Sequence, residues 1–344
     1  MTARGVRTAT ATAFGVLLLA GALGVFIGSA RIPLGHIAGI LAGTVGLPVE
    51  PVWRPWEATV LLDVRLPRVL VGMLVGASLA LTGTALQGLF RNPLADSGVI
   101  GVSAGASLGA VIAIHLGIAA KWIWALPGFA FIGAIGTAFA VYAIATRRGR
   151  TPVGTLLLAG VAVGSLNVSL ISFVLALALA NYEIGRQMIF WLMGGLDGRT
   201  WDHVRIAAPL ILFGAAVVAA HARDLDALLL GEIHASAVGV DVPRIRRRLI
   251  AATSLVVGAA VAVSGSIGFV GLVVPHILRL LVGPSHRRLL PISIIAGAGF
   301  VVVGDIVART LIAPEEIRLG VITAAVGAPF FVFLLVRRQE KVAA

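Results

Sequence analysis

The sequence predicts an all-α polytopic membrane protein with about ten transmembrane helices per subunit and an inverted internal repeat. Hydrophobic residues make up 59% of its 344 residues and charged residues only 12%, whereas about a quarter of a soluble globular domain is charged. The mean hydropathy is +1.03. Apolar stretches of about 20 residues recur along the chain, and a helix of that length crosses a bilayer. Basic clusters separate these stretches, as expected where arginines fix the orientation of membrane helices.

Ten apolar segments account for this pattern. The first follows Arg4 and Arg7 and has features of a signal peptide, but we interpret it as an uncleaved anchor because many spans follow it. The strongest basic clusters then share one side of the membrane, which places both termini in the cytoplasm. The predicted spans cover roughly residues 12–30, 69–90, 99 onward, 124–145, 153–179, 204–222, 249–265, 269–282, 290–311 and 321–336.

Two segments between the spans carry aromatic side chains that suit a membrane interface. A long polar stretch with several prolines, Trp53 and Trp56 connects the first two spans. The segment Gln187–Asp202 combines aromatic residues with a glycine break. That combination predicts an interfacial helix and a loop on the outer side.

Arg65 and Arg68 flank a proline just before span two, on the outer side of this topology. Arginine is disfavoured there, so these two residues require an explanation. One interpretation is that they extend to lipid headgroups. The other is that they dock an acidic partner protein, since paired guanidinium groups bind carboxylates bidentately.

An internal repeat relates the two halves of the chain. Val75–Thr84 aligns without gaps on Val257–Ser266, at an offset of 182 residues. The two segments are predicted to run in opposite directions, and inverted repeats are typical of transporters.

Small residues such as Gly101, Gly105 and Gly109 also recur in spans two, three, seven and eight. They fit close helix packing, and they also fit a wide pathway without an ion site.

A polar segment, Arg223–Arg248, separates two long apolar stretches and ends in a basic cluster. The basic cluster predicts a cytoplasmic location. Within the segment, residues 231–239 predict a short helix that Gly239 closes. Judged by residue types alone, a solvated loop that only fixes the topology explains this segment.

The sequence contains no catalytic pattern that we recognise. The patterns HExxH, GxSxG and GxxxxGK[ST] are absent, and the chain has no cysteine. An ATPase that drove this protein would therefore be another chain.

The net charge of +12 lies in clusters between spans, so it indicates membrane orientation rather than nucleic acid binding. Asp305 and Arg309 lie four residues apart and could pair, and Asp305 is the carboxylate that an ion-coupled carrier would use.

Seven motifs, in the right order from about residue 60 to the C-terminus, resemble the permease subunits of type II ATP-binding-cassette importers. That family moves vitamin B12, haem and ferric siderophores. The matching segments are RLPR at 65–68, QGLFRNPLA at 87–95, GVSAGA at 101–106, WLMGG at 191–195, GSIGFVGLVVPH at 265–276, DIVAR at 305–309 and GVITAAVGAP at 320–329.

The resemblance implies one permease domain over residues 1–344, with a cytoplasmic coupling region at 228–243. It implies a homodimer in the lipid of the bacterial inner membrane, with the pathway at the dimer interface. Two ATPase subunits would bind on the cytoplasmic side and a periplasmic binding protein on the other. ATP and magnesium would be bound by the ATPase subunits, and this chain would bind no cofactor or metal.

The resemblance also implies two groups of site residues. Arg65, Arg68 and Arg309 match positions that receive carboxylates from the binding protein. Residues 231–239 match the family's Gly-Glu-x-x-Ala-x-x-Leu-Gly coupling pattern, in which valine here replaces leucine and keeps an apolar contact. The coupling residues are Gly231, Glu232, Ala235, Val238 and Gly239.

The sequence leaves the substrate open. Haem is the preferred prediction because the loop motifs look closest to haem and iron-siderophore permeases, and a ferric siderophore or vitamin B12 is the alternative. A remoter alternative is an ion-coupled secondary transporter that depends on Asp305. An intramembrane enzyme would need a catalytic constellation that the sequence does not show.

Overall fold

The computed structural model describes residues 3–28, 30–98, 100–147 and 151–343. Over these residues the architecture is all-helical, with sixteen α-helices and one π-helical turn. Val99, the predicted start of span three, lies outside the described residues. The α-helices are α1 Ala3–Phe26, α2 Leu34–Thr44, α3 Pro55–Thr59, α4 Leu66–Leu89, α5 Val102–His115, α6 Ile118–Lys121, α7 Ala125–Ala145, α8 Val153–Ala178, α9 Tyr182–Leu192, α10 Trp201–Ala220, α11 Ala222–Leu229, α12 Glu232–Ala237, α13 Val242–Ser264, α14 Val270–Val282, α15 His286–Thr310 and α16 Leu319–Ala343.

Seven helical segments of the described chain are long and apolar enough to cross a membrane. They coincide with predicted spans one, two, four, five, six, seven and nine. Three shorter apolar helices, α5, α14 and the apolar part of α16, coincide with spans three, eight and ten. A fourth short apolar helix, α2, was not predicted.

The connection between the first two spans differs from the prediction. It is not polar throughout, because it contains the apolar helix α2 with Ile37 and Ile40 buried. The second span also begins earlier than predicted, since one helical segment runs from Pro55 through the π-helical turn Val60–Arg65 to the end of α4. The sequence analysis places the charged residues Arg65 and Arg68 outside the span, so a helix that continues through them was not predicted. The π-helical turn ends at Arg65, two residues before Pro67, which cannot donate a backbone hydrogen bond to the regular helix.

The predicted interfacial segment is a helix followed by a loop, but its helix begins earlier than predicted. α9 starts at Tyr182 rather than at Gln187. Asn181 caps it, since its side chain accepts hydrogen bonds from the backbone N–H of Glu183 and Ile184. The loop that follows α9 contains Gly194, whose φ of +65° only glycine adopts readily.

The ten helices that coincide with predicted spans alternate in direction and define two ends of the bundle. One end, the α9 end, holds α9, the loop after it and the last residues of α1 and α13. There Gly195 N donates to Ser264 O at 2.7 Å, and Trp201 Nε1 donates to Leu62 O at 2.9 Å. The opposite end, the α12 end, holds α11, α12 and the first residues of α8 and α15.

The two predicted repeat segments lie on helices at the centre of the subunit. α4 runs from the α9 end to the α12 end and α13 runs the opposite way, which confirms the predicted opposite directions of the two repeat segments. In the most apolar part of each of these helices 78% of residues are buried, against 11% in α1 and 17% in α8. α1 and α8 therefore lie at the periphery of the isolated subunit.

Glycines bring the central helices into backbone contact. A Cβ added to Gly76 of α4 would lie 2.1 Å from the carbonyl oxygen of Gly297 in α15. On α5, a Cβ added to Gly105 would lie 2.4 Å from the carbonyl oxygen of Gly133 in α7. The predicted close approach at Gly105 is confirmed. The small residues at these positions serve helix packing within the subunit.

Gly76→Ala is expected to destabilise the subunit by about 1–3 kcal/mol, because α4 and α15 must separate to admit the methyl group. Thermal unfolding of the purified permease in detergent measures this change. Gly136→Ala is the matched control, since Gly136 lies in membrane helix α7 with nothing within 4 Å of the added Cβ. That control is expected to be neutral or stabilising because alanine favours helix more than glycine does. An unchanged transition in Gly76→Ala would contradict the close contact.

Candidate functional sites

A buried ionic cluster joins α4, α15 and the loop before α16 at the α9 end. The Arg68 guanidinium donates to both carboxylate oxygens of Asp305, with the shortest contact at 2.8 Å. It also donates to both oxygens of Glu316, at 3.0 and 2.8 Å. Arg309 lies on the other side of Asp305 at 3.6 Å, which confirms the predicted pair along α15. Asp305 is only 2% exposed, so this carboxylate is enclosed by two guanidinium groups.

Arg309 of this cluster and the neighbouring Arg65 both contact the end of α1. Helix C-termini leave carbonyl oxygens without partners inside the helix, and positive charge is favourable there. Arg309 Nη2 donates to the carbonyl oxygen of Gly24 at 2.7 Å. Arg65 Nη1 donates to the carbonyl oxygens of Val25 and Phe26, each at 3.0 Å, and Nη2 donates to that of Ala30. Guanidinium groups therefore satisfy the end of α1.

The structure brings all three predicted docking arginines together, but not on an open surface. Arg65, Arg68 and Arg309 are 3%, 8% and 5% exposed, and each has partners within the subunit. In this conformation an incoming carboxylate would have to compete with those partners. The sequence shows the cationic residues but not their burial, because most of the partners are distant in the chain.

α12 is the short helix that the sequence predicts in the polar segment. Gly231 precedes it with φ of +109°, and Gly239 follows it with φ of +89°. Gly239 N donates to Ser236 O, and Val240 N donates to Ala235 O, each at 3.0 Å. This pair of bonds is a Schellman motif, which favours glycine at the position that Gly239 occupies. The prediction that Gly239 closes the helix is confirmed.

An ion pair ties α12 to the rest of the subunit. Glu232 Oε1 accepts a hydrogen bond of 2.5 Å from Arg246 Nη2 on α13. Arg246 Nη1 donates at 2.5 Å to the carbonyl oxygen of Thr151, two residues before α8. Arg246 is 6% exposed, so one buried guanidinium links α12, α13 and the start of α8. In the sequence Arg246 is one residue of a basic cluster, and this link was not predicted.

Three large apolar side chains in and beside α12 are exposed. Val238 is 73% exposed, and so is Leu230, while Ile233 is 85% exposed. Ala235 points inward and is fully buried. Large exposed apolar side chains on a short ordered helix mark an interaction site rather than a purely solvated loop. Leu230 and Ile233 were not predicted as site residues, although their apolar side chains in a polar segment were a signal for it.

α11 is anchored to α15 through Asp226. Its carboxylate accepts from the backbone N–H of His286 at 2.5 Å and from Ser285 Oγ at 2.9 Å. His286 is the first residue of α15, where N–H groups lack helical partners and negative charge is favourable. The α11–α12 region is thus held at two points, Asp226 and Glu232.

A bundle of long apolar helices with large apolar side chains exposed at one end is typical of a transporter subunit that works with a separate protein. A profile of the FecCD transport family matches residues 16–337. The cobalamin import system permease protein BtuC of Halobacterium salinarum is 49% identical over 278 residues, which cover 81% of this chain and 73% of that protein. The hemin transport system permease protein HmuU of Yersinia pestis is 39% identical, with 85% and 86% covered. A metal-chelate type ABC transporter solved in an inward-facing conformation has a TM-score of 0.83 at 30% identity, covering 95% of this chain and 98% of that chain.

The chain belongs to the FecCD transport family. It is a multi-pass permease of the ABC importers for vitamin B12, haem, ferric siderophores and related metal chelates, which confirms the resemblance of its motifs. Such a permease is a transport subunit without catalytic activity of its own. Membership in this class implies an ATPase and a binding protein as partners.

Proposed function

We propose that two copies of this chain form the pathway through which an ATP-driven importer moves a metal-chelated tetrapyrrole into the cytoplasm. A corrinoid is the first candidate, because identity to the cobalamin permease is 49% against 39% for the hemin permease. Haem, which the loop motifs favour, is the second candidate. A ferric siderophore is a further alternative, since the Fe(3+) dicitrate permease protein FecD of Escherichia coli is 38% identical.

We further propose ten transmembrane helices with the α12 end in the cytoplasm of a bacterial inner membrane. The alternation of the ten helices supports this topology, because α1 starts and α16 finishes on the side that holds α12. The basic residues that follow α12, such as Arg244, Arg247 and Arg248, support the same orientation.

The observation that carries the ATP-driven mechanism is the exposed apolar surface of α12. We propose that each ATPase subunit contacts Leu230, Ile233 and Val238, since burying such side chains favours association. Closure of the ATPase dimer would displace α12. The Glu232–Arg246–Thr151 link would pass this displacement to α8, and alternating access would follow. ATP and magnesium belong to the ATPase in this scheme, and the permease binds no cofactor.

The class and the substrate are tested together by uptake into proteoliposomes that hold the complete complex. Cobalamin, haem and a ferric siderophore are each supplied on their binding protein, with and without ATP inside. ATP-dependent cobalamin uptake is the expected result. ATP-dependent uptake of only another chelate would overturn the corrinoid assignment and keep the class. Uptake that is the same with and without ATP, and that disappears in Asp305→Asn, would favour an ion-coupled carrier instead.

Docking of the binding protein on Arg65, Arg68 and Arg309 is the second part of the proposal. Their position at the α9 end, opposite to the proposed ATPase surface, supports it. It requires that the partner's carboxylates replace internal acceptors, for example Glu316, which is the more exposed partner of Arg68.

If this docking occurs, Arg65→Gln is expected to weaken binding of the loaded binding protein at least about tenfold, because a charge-assisted contact is worth about 1.5–3 kcal/mol. Surface plasmon resonance on the purified complex without ATP measures the affinity. Arg223→Gln is the control, an exposed arginine on α11 at the α12 end. Equal affinity in both variants, with unchanged thermal unfolding, would place the docking surface elsewhere.

A further inference from the structure

A cavity of about 320 Å³ lies beside α9, and we call it the α9 cavity. Arg199, Arg318 and Gln187 provide most of its polar lining. Ile114 and Leu126 belong to its apolar lining. The cavity therefore combines two cationic side chains with an apolar wall at the α9 end of the bundle.

The positive charge in this cavity is poorly neutralised. Arg199 makes no ion pair with the described residues: its Nη1 lies 3.4 Å from His203 Nε2, and its Nε is buried without a hydrogen-bond partner. The carboxylate nearest to Arg318 is that of Asp197, 3.9 Å away and 63% exposed. Arg68, by contrast, has two carboxylates within 3.0 Å. Both guanidinium groups are partly shielded from water, and a charge that has lost part of its hydration without gaining a carboxylate partner favours an incoming anion.

The pKa of Arg199 agrees with the lack of neutralising carboxylates in the cavity. The pKa of Arg199 is lowered to about 10, mainly by burial; the carboxylate of Asp197 raises it, and the charges of Arg318 and Arg68 lower it. The side chain still carries its charge at neutral pH. An anion next to the guanidinium would act in the opposite direction and stabilise the charged form.

Aromatic groups border the same cavity. The Arg318 guanidinium lies 4.3 Å from the centre of the Phe190 ring. Trp191 also lines the cavity, and its Nε1 is buried without a hydrogen-bond partner. An unused N–H donor and an aromatic ring beside two cations suit a ligand with an apolar body and an anionic arm.

We propose that the α9 cavity binds a carboxylate or phosphate group of the transported chelate, with Arg199 and Arg318 as its anion ligands. This assignment rests on the proposed function, since it takes the anion from the cargo. At about 320 Å³ the cavity lies at the lower end of the range of about 300–1,000 Å³ for small-molecule pockets, so it accepts an anionic arm but is too small for the body of a tetrapyrrole. A lipid phosphate offers the same chemistry and is the alternative source.

Binding of small probes tests the site without reference to the chelate. We would measure 2-naphthoate and its neutral isostere 2-naphthamide by equilibrium dialysis, with the complete complex in phosphatidylcholine nanodiscs and no ATP. Arg199→Gln and Arg318→Gln are each expected to weaken naphthoate binding about tenfold or more and to leave naphthamide unchanged. Arg199→Lys is expected to retain part of the affinity. Arg205→Gln is the control, because Arg205 is exposed, pairs with Asp202 and does not line the cavity.

Equal binding of the acid and the amide, or equal loss of both in the variants, would overturn the anion site. A lipid source would show as loss of naphthoate binding when phosphatidylglycerol replaces part of the phosphatidylcholine. That outcome would overturn the assignment to the cargo.

Transport then tests the cargo directly. Uptake of haem is compared with that of its dimethyl ester, and uptake of cobalamin with that of cobinamide, which lacks the phosphate together with the ribose and base attached to it. For the pair that the wild type transports, Arg199→Gln is expected to raise the KM of the anionic member about tenfold and to leave its kcat unchanged. Equal effects on both members would overturn the assignment to the cargo. If the wild type moves no chelate while naphthoate binding stands, the proposed function fails and the anion site remains without its assigned cargo.

Discussion

Asp305→Ala is expected to lower the free energy of unfolding by about 3–5 kcal/mol, which is the cost of removing one partner from a buried ion pair. Arg68 and Arg309 are 8% and 5% exposed, so both would lose a carboxylate in a site that water scarcely reaches. Arg68 keeps Glu316, but among the described residues Arg309 keeps only the carbonyl oxygen of Gly24. Thermal and urea unfolding of the purified permease measure the change.

The control for this variant is Glu183→Ala, which breaks an exposed pair with Arg186 on α9. Exposed pairs contribute about 0–1 kcal/mol, so that transition is expected to stay nearly unchanged. The double variant Asp305→Ala with Arg309→Met is expected to recover part of the loss, because it removes one of the orphaned charges. Stability equal to wild type in Asp305→Ala alone would contradict the role of the cluster. It would also support the alternative that Asp305 is the ion-binding carboxylate of a secondary carrier.

Arg246→Met is expected to reduce ATP-dependent uptake at least about tenfold while the ATPase stays bound. The variant removes the only described side chain that joins α12 to both α13 and the backbone before α8. Displacement of α12 would then reach α8 less directly, so ATP hydrolysis would continue with little transport. The measurement is the ratio of chelate taken up to ATP hydrolysed in the same proteoliposomes.

The matched control is Arg244→Met on the same helix, since Arg244 is 60% exposed and pairs only with Asp241 within the described residues. It is expected to keep the wild-type ratio. Glu232→Gln is expected to destabilise the subunit more than Arg246→Met does. The reason is that it leaves a buried guanidinium without its carboxylate, whereas a lone Glu232 is half-exposed and can be hydrated. An unchanged uptake ratio in Arg246→Met would show that α12 is coupled to the pathway by another route, such as Asp226.

Much of the membrane topology could be predicted from the sequence. The seven long helical segments agree with predicted spans because bilayer crossing depends on local length and hydrophobicity, which a window of residues reveals. The short helix α12 was predictable for a similar reason, since a glycine at the Schellman position is a local signal. The helix before Val69 was missed because the charges of Arg65 and Arg68 indicated a segment outside the span, whereas the fold buries both side chains.

The amino-acid sequence by itself determined the class of protein, its apolar spans, the polar segment with α12 and the motifs that place it among FecCD permeases. Only the tertiary structure decided which charges are buried and with what partners. Arg68 and Asp305 lie 237 residues apart, and Arg309 and Gly24 lie 285 apart, so no local pattern connects them. An arginine at the end of a span looks the same in sequence whether it faces solvent or a buried carboxylate. The packing of α1, α4 and α15 makes that difference, because it removes water and leaves each guanidinium to be satisfied by the groups that the fold brings to it.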